Sequence, residues 1–250
     1  MPDGSAGTYS PASAIVIAVD GPSGSGKSSV SRGVAAQLGL CYLDTGAMYR
    51  AAAWWMLQQG IDLDDPDAIA GRADELAIAS GTDPSRPTIA VNGVDVGEPI
   101  RDSAVTGAVS TVSAVPAIRA RLVQLQRQHV TDACRQGGGI VVEGRDIGTV
   151  VLPDADLKVF LTANQEVRAQ RRAQQDELEG RAADVTATAS SLAARDAADS
   201  SRTASPLTQA ADAHLVDATD LTLAQVIEAV VALANEARTD TKGRPAHAGG

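Results

Sequence analysis

Ala14-Ile15-Val16-Ile17-Ala18-Val19-Asp20, followed at once by Gly21-Pro22-Ser23-Gly24-Ser25-Gly26-Lys27-Ser28, is the stretch on which the fold turns. Residues 14–19 are apolar without alternation, the pattern of a short strand buried on both faces and therefore of a parallel sheet. The next eight residues of interest, Gly21 to Ser28, match G-x-x-x-x-G-K-[ST] in full. From Lys27 to Leu38 the pattern is helical, with Gly39 placed as a C-cap. Strand, Gly-rich loop and helix in that order make a phosphate-binding loop. Its glycines let the backbone turn N–H groups inward on an anion, and the helix adds its positive end. Lys27 is expected to reach the β- and γ-phosphates of a nucleoside triphosphate, and the Ser28 hydroxyl to ligate Mg²⁺.

Working outward, a second short strand is expected at residues 40–43, then a helix from Thr45 to about Gln58 closed by Gly60. Asp65-Pro66 restarts a helix, with Asp as N-cap and Pro in the first turn, expected to run to about Ala79. Asn92-Gly93 between Thr88-Ile89-Ala90-Val91 and Val94-Asp95-Val96 is a strong hairpin signal. A hairpin interrupting an α/β rhythm marks an inserted lobe, placed at residues 61–110. The rhythm then returns: a helix over 116–134, strands over Gly139–Glu143 and 156–161, a charged helix over Gln165–Leu178, and a last strand at 215–217. Thr222 to Gln225 forms a capping box opening a helix to about Ala237. The expected fold is α/β: a doubly wound, mainly parallel sheet flanked by helices. Its core spans 14–60 and 111–237, between disordered tails at 1–13 and 238–250.

Composition narrows the class. The 250 residues are 44% hydrophobic and 21% charged, as in an ordinary globular protein long enough to bury a core. No apolar run approaches the roughly 18 residues of a spanning helix, and the polar N-terminus lacks the features of a signal peptide. Cys41 and Cys134 stand in no metal or redox spacing, so two reduced thiols and a cytoplasmic location are expected. A net charge of −10 argues against nucleic acid or acidic membranes as partners. Yet 18 of the 21 basic residues are arginine, whose planar fork matches phosphate oxygens.

A phosphate-binding loop serves kinases, GTPases and motors alike. No Asn is followed by Lys anywhere in the chain, against the Asn-Lys-x-Asp motif of GTPases, and the length is small for a motor. Arg145-Asp146 directly follows the strand at Gly139–Glu143, at the carboxyl edge where open α/β sheets bind ligands. The histidines His129, His214 and His247 are scattered, and none is an obvious base. A monophosphate acceptor needs none, because its oxygens are already largely ionised near neutral pH. Glu143, at a strand end, is the candidate acidic partner of Mg²⁺.

Three blocks then carry a resemblance. Asp44-Thr45-Gly46-Ala47-Met48-Tyr49-Arg50, Glu143-Gly144-Arg145-Asp146-Ile147-Gly148-Thr149-Val150-Val151 and Arg195-Asp196-Ala197-Ala198-Asp199-Ser200-Ser201-Arg202 are similar, in order and spacing, to the signature blocks of bacterial cytidylate (CMP) kinases. The resemblance runs from about Ile15 to Ala232. It implies transfer of a phosphoryl group from ATP to CMP or dCMP with Mg²⁺; a monomer is expected, although the sequence itself does not give the oligomeric state. It implies a triphosphate site of Gly21 to Ser29 with Arg172, and transfer served by Lys27, Arg145 and Arg202. Arg50, Arg145 and Arg202 would clamp the acceptor phosphate; Thr45, Ser110, Arg119 and Asp146 would surround the cytosine; Arg195 and Asp199 would hold the ribose. A mobile lid is implied at about residues 165–195, where Arg168 and Arg172 share a helix face. Kinases for UMP or AMP, and a nucleotide-gated binding protein, are the rival readings. Asp146 would disfavour uracil, which lacks the exocyclic amine, and a binding protein would turn over ATP without any monophosphate.

Overall fold

A computed structural model describes residues 14–178, 184–202 and 204–241; the tail expected at 1–13 and residues 242–250 of the tail expected at 238–250 lie outside the described residues, whereas 238–241 are helical. β1 (Ile15–Asp20) leads through the Gly-rich loop into α1 (Lys27–Leu38), then β2 (Cys41–Asp44) and α2 (Thr45–Gln58). After α3 (Pro66–Ala70) come β3 (Ile78–Ser80), β4 (Ile89–Val91) and β5 (Val94–Asp95). α4 (Ser103–Ala114) and α5 (Pro116–Arg135) return the chain to β6 (Gly139–Glu143), a π-helical turn at Ile147–Val151, and β7 (Leu157–Thr162). α6 (Gln165–Leu178), α7 (Val185–Ser201), β8 (His214–Asp217) and α8 (Leu223–Thr241) complete it.

The main sheet has the order β2-β6-β1-β7-β8, every pair parallel. β6 sits between β2 and β1, so Glu143 lies opposite both Asp44 and Val19. Three adjacent strands therefore end level, and the loops that follow them open onto one edge. The faces of the sheet bury separate cores. Ile140 and Val142 point with Leu43 to the side of α2, α4 and α5, while Val141 points with Ile17 and Val19 to the side of α1 and α8. Helices cover both faces, which is why β1 and β6 read as unbroken apolar runs.

The hairpin forms around Asn92-Gly93, with Val91 opposite Val94. It has a third strand that the sequence reading takes for helix. α3 stops at Ala70, capped by Asp65 through Asp67 N and Ala68 N, and does not continue to Ala79. Gly71 ends it, and Ile78 to Ser80 pair antiparallel with Ile89 to Val91, burying Ile78 beside Val91. α4 and α7 are helices without a counterpart in that reading, and α8 continues past Ala237 to Thr241. Its capping box forms as expected, Thr222 N donating to Gln225 Oε1 and Gln225 N to Thr222 Oγ1. No helix among the described residues is long and apolar enough to cross a membrane.

Candidate active site

A cleft of about 400 Å³ opens at the carboxyl edge of β1, β2 and β6. Its floor is the loop between β1 and α1. Gly21 sits beneath it, so close to β7 that a Cβ would stand 2.0 Å from Leu161 O. Ser23, Gly24, Gly26, Lys27, Ser28 and Ser29 line the cleft, whereas Gly21, Pro22 and Ser25 support it from behind. Lys27 is buried and donates to Pro22 O at 2.7 Å, with Ser25 Oγ at 3.5 Å. Burial, then the nearby Arg145 cation, holds its ammonium pKa well below the usual lysine value.

Glu143 is the hub at the end of β6. Tyr42 OH donates to its Oε1, Ser28 Oγ to its Oε2 at 3.1 Å, and Thr45 Oγ1 to its backbone carbonyl at 2.7 Å. Burial pushes its carboxyl pKa up, reinforced by Asp44 and opposed by Lys27. One carboxylate thus joins the strand ends of β2 and β6 to the first turn of α1.

Across the cleft stand the arginines. Arg50 pairs with Asp44 at 3.1 Å, and the same carboxylate caps α2 through Ala47 N at 2.8 Å. Arg119 reaches up from α5 to Asp146 in a buried ion pair, both side chains 6% exposed or less, and its guanidinium lies 5.2 Å from the centroid of the Tyr49 ring. Arg145 Nε meets Asp199 Oδ2 at 3.0 Å while its Nη2 donates to Ser23 Oγ at 2.7 Å. Arg202 Nη1 shares Asp199 at 3.5 Å and Ser113 Oγ at 3.4 Å. Its Nε and Nη2, like Arg119 Nε, are buried with no hydrogen-bond partner among the described residues. Arg195 also lines the cleft, its pKa pushed down to about 10 by burial and then by Arg145, with Asp199 opposing. Ser110 contributes from α4, and Arg172 from α6 while pairing with Asp176 at 3.1 Å. Arg171, by contrast, turns away to the carbonyls of Ala218 and Leu221.

The turn that presents Arg145 and Asp146 is held from below. Asp20, the last residue of β1, accepts from Ile147 N at 2.8 Å and Gly148 N at 2.7 Å. Its pKa is raised to about 6, by burial above all, against the lowering effect of those two bonds.

The cleft therefore gathers Thr45, Arg50, Ser110, Arg119, Glu143, Arg145, Asp146, Arg172, Arg195, Asp199 and Arg202 around the loop. Tyr42, Tyr49, Ser113, Asp20 and Asp196 belong to the same constellation and escape sequence reasoning. Tyr49 and Asp196 lie inside the signature blocks, which is the signal that could have found them. Tyr42 and Asp20 look like ordinary strand residues until the sheet register brings their polar atoms to the site. A surplus of buried cationic donors facing a phosphate loop can hold two anionic groups at once, and can neutralise charge passing between them.

The family model for cytidylate kinase matches residues 17–236. A cytidylate kinase of Streptomyces avermitilis is 61% identical over 225 residues, covering 90% of this chain and 94% of the relative. Cytidylate kinases of Streptomyces coelicolor and Nocardia farcinica are 60% and 56% identical, covering 95% and 86% of this chain and 99% and 90% of the relatives.

Proposed function

The chain belongs to the cytidylate kinase family, and from that premise we propose that the cleft transfers the γ-phosphoryl group of ATP to CMP or dCMP. The observation that carries the residue assignment is that Arg50, Arg145 and Arg202 line one cleft with the loop that contains Lys27, while Nε and Nη2 of Arg202 have no hydrogen-bond partner among the described residues. The triphosphate lies along Gly21 to Ser29, with Lys27 leaving Pro22 O for phosphate oxygens. Arg50, Arg145 and Arg202 hold the acceptor phosphate. Asp146, oriented by Arg119, accepts from the exocyclic amine of cytosine, with Thr45 and Ser110 beside it. Arg195 and Asp199 take the ribose hydroxyls, and Arg172 reaches the triphosphate from the lid.

Positioning and charge neutralisation supply the chemistry. The Arg145 cation lowers the proton affinity of both Lys27 and Arg195, in each case after burial, a repulsion that incoming phosphate relieves. No general base is required, because the attacking oxygen belongs to a phosphate already ionised at neutral pH. Helices α6 and α7 close over the reacting groups and exclude water, so that CMP rather than water receives the phosphoryl group.

Ser28 Oγ and the Glu143 carboxylate, 3.1 Å apart at the floor of the cleft, form an oxygen donor set suited to Mg²⁺. Among the described residues no group of three or more His, Cys, Asp or Glu is assembled. A hard cation here would thus rely on Ser28, on Glu143 and on nucleotide oxygens. When bound, Mg²⁺ neutralises charge on the β- and γ-phosphates. The enzyme is taken to act as a monomer in the cytoplasm, with nucleotides as its partners.

An ADP-release assay with ATP and Mg²⁺, offering CMP, dCMP, UMP, AMP or no acceptor, tests the proposal. Turnover is expected to be strongest with CMP and dCMP and near zero without acceptor. A preference for UMP would overturn the role of Asp146, and equal release in every well would overturn acceptor-dependent transfer.

A further inference from the structure

Ser23 has three polar atoms besides its place in the phosphate loop, and each is engaged by a different side chain. Its N–H donates to Asp196 Oδ1 at 2.8 Å, its carbonyl accepts from Arg168 Nη1 at 2.9 Å, and its Oγ accepts from Arg145 Nη2 at 2.7 Å. Arg168 and Asp196 are also bonded to each other, with side chains 12% and 17% exposed. The contact is close as well as polar. At Gly24, with φ 76°, a Cβ would meet Arg168 O at 2.9 Å and Leu192 Cδ1 at 3.2 Å, so α6 and α7 rest on the loop without room for one more carbon.

α7 grips the site twice. Asp196 and Asp199 are three residues apart, hence neighbours on one face of the helix. The first holds the donor loop through Ser23, and the second holds Arg145 at 3.0 Å. We infer that Arg168 and Asp196 are positioning residues that clasp α6 and α7 to the phosphate loop at Ser23, and through that clasp couple triphosphate binding to acceptor binding. The inference rests on the cleft being the kinase site proposed above.

The coupling follows from shared partners. When an acceptor phosphate draws on Arg145, that guanidinium has less to offer Ser23 Oγ and Asp199 Oδ2. The Arg145 route from α7 to the loop is then weakened while phosphate is present. The Asp196–Arg168 route does not involve the acceptor arginines and keeps α7 in place. Without it, acceptor binding would loosen the cover over the triphosphate, and the two substrates would bind independently or in opposition.

The test uses the full chain and the variants Asp196→Ala, Arg168→Ala, the double variant, and Asp196→Asn. Hydrogen exchange of the ligand-free protein is read first. Asp196→Ala is expected to speed exchange of the Ser23–Gly24 amides about tenfold, the scale of one charge-assisted hydrogen bond. In steady-state assays its KM for ATP should rise by about the same factor, and the tightening of ATP by CMP should disappear. Asp196→Asn still offers an oxygen to Ser23 N–H but presents no charge to Arg168, so it should fall between wild type and Asp196→Ala. If the two residues act as one clasp, the double variant should be little worse than either single variant. Unchanged exchange at Ser23, or strictly additive effects of the two single variants, would overturn the clasp. Preserved synergy between ATP and CMP in Asp196→Ala would overturn the coupling. Wild type failing to phosphorylate CMP would instead sink the functional reading, while the exchange measurement would still judge the clasp.

Discussion

Arg145 is held by a hydroxyl at one end of its guanidinium and a carboxylate at the other, and Asp199 divides its charge between Arg145 and Arg202. The result is a cation fixed in place without being fully neutralised. Arg145→Ala is therefore expected to lower kcat by about 10²-fold or more, the scale seen when one preorganised donor is removed from a developing charge. Thermal stability should change by only a few degrees, since the side chain is 21% exposed and Asp199 keeps Arg202. Turnover near the wild-type level in a folded variant would remove Arg145 from transfer. Asp20 makes a prediction of the opposite kind, on stability. Its folded-state pKa of about 6 lies above the ordinary 3.8, so the native protein holds this proton more tightly than the unfolded chain does. Its contribution is complete below about pH 4 and is lost as pH rises through about 6, on the order of 3 kcal/mol in all. Asp20→Asn lacks the titration. Chemical denaturation of both proteins across that range should show the stability of wild type, relative to the variant, falling as pH rises; a constant difference would show that Asp20 titrates normally.

At the scale of elements, the seat of α6 and α7 on the loop leads to a sharp expectation for Gly24. Gly24→Ala puts a methyl against Arg168 O and forces a left-handed backbone on a residue with a side chain. The KM for ATP should rise about tenfold or more while the melting temperature moves little, because the clash falls on the cover and not on either core. An unaltered KM would mean that the two helices do not cover the triphosphate. Elements of this kind were legible in unequal measure. β1, the loop and α1 could be read because every signal is local: an apolar run, glycines at fixed offsets, a C-cap with φ 64°. β3 could not, since Leu76 and Ile78 suit a helix as well as a strand, and only pairing with β4 decides between them. α4 was hidden by a sequence of small and β-branched residues, SAVTGAVSTVSA, whose helical state depends on burying Val105, Val109 and Val112 against α2. The same limit applies within the site. Arg145 and Asp146 announce themselves at a strand end, whereas the shared grip of Ser23 exists only once α7 has folded back over the loop.

As a whole the molecule sets a strongly cationic cleft into a chain with net charge −10. The net negative charge is expected to disfavour polyanions, while the arginines of the cleft suit small anions. Ligands that bind only the folded state should stabilise it by mass action, about 2.7 kcal/mol at a hundred times Kd. CMP and a nonhydrolysable ATP analogue are each expected to raise the melting temperature, and less so at high salt, where cationic clefts are screened. No shift with either ligand would argue against nucleotide binding here. The two cores on opposite sides of the sheet also divide the chromophores. Both tryptophans of the chain, Trp54 and Trp55, stand side by side on α2, packed in the core that holds α4 and α5, and the core around α1 and α8 has none. Intrinsic emission therefore samples the α2 side of the cleft: it should respond more to a monophosphate held by Arg50 on α2 than to a triphosphate held on the loop that leads into α1.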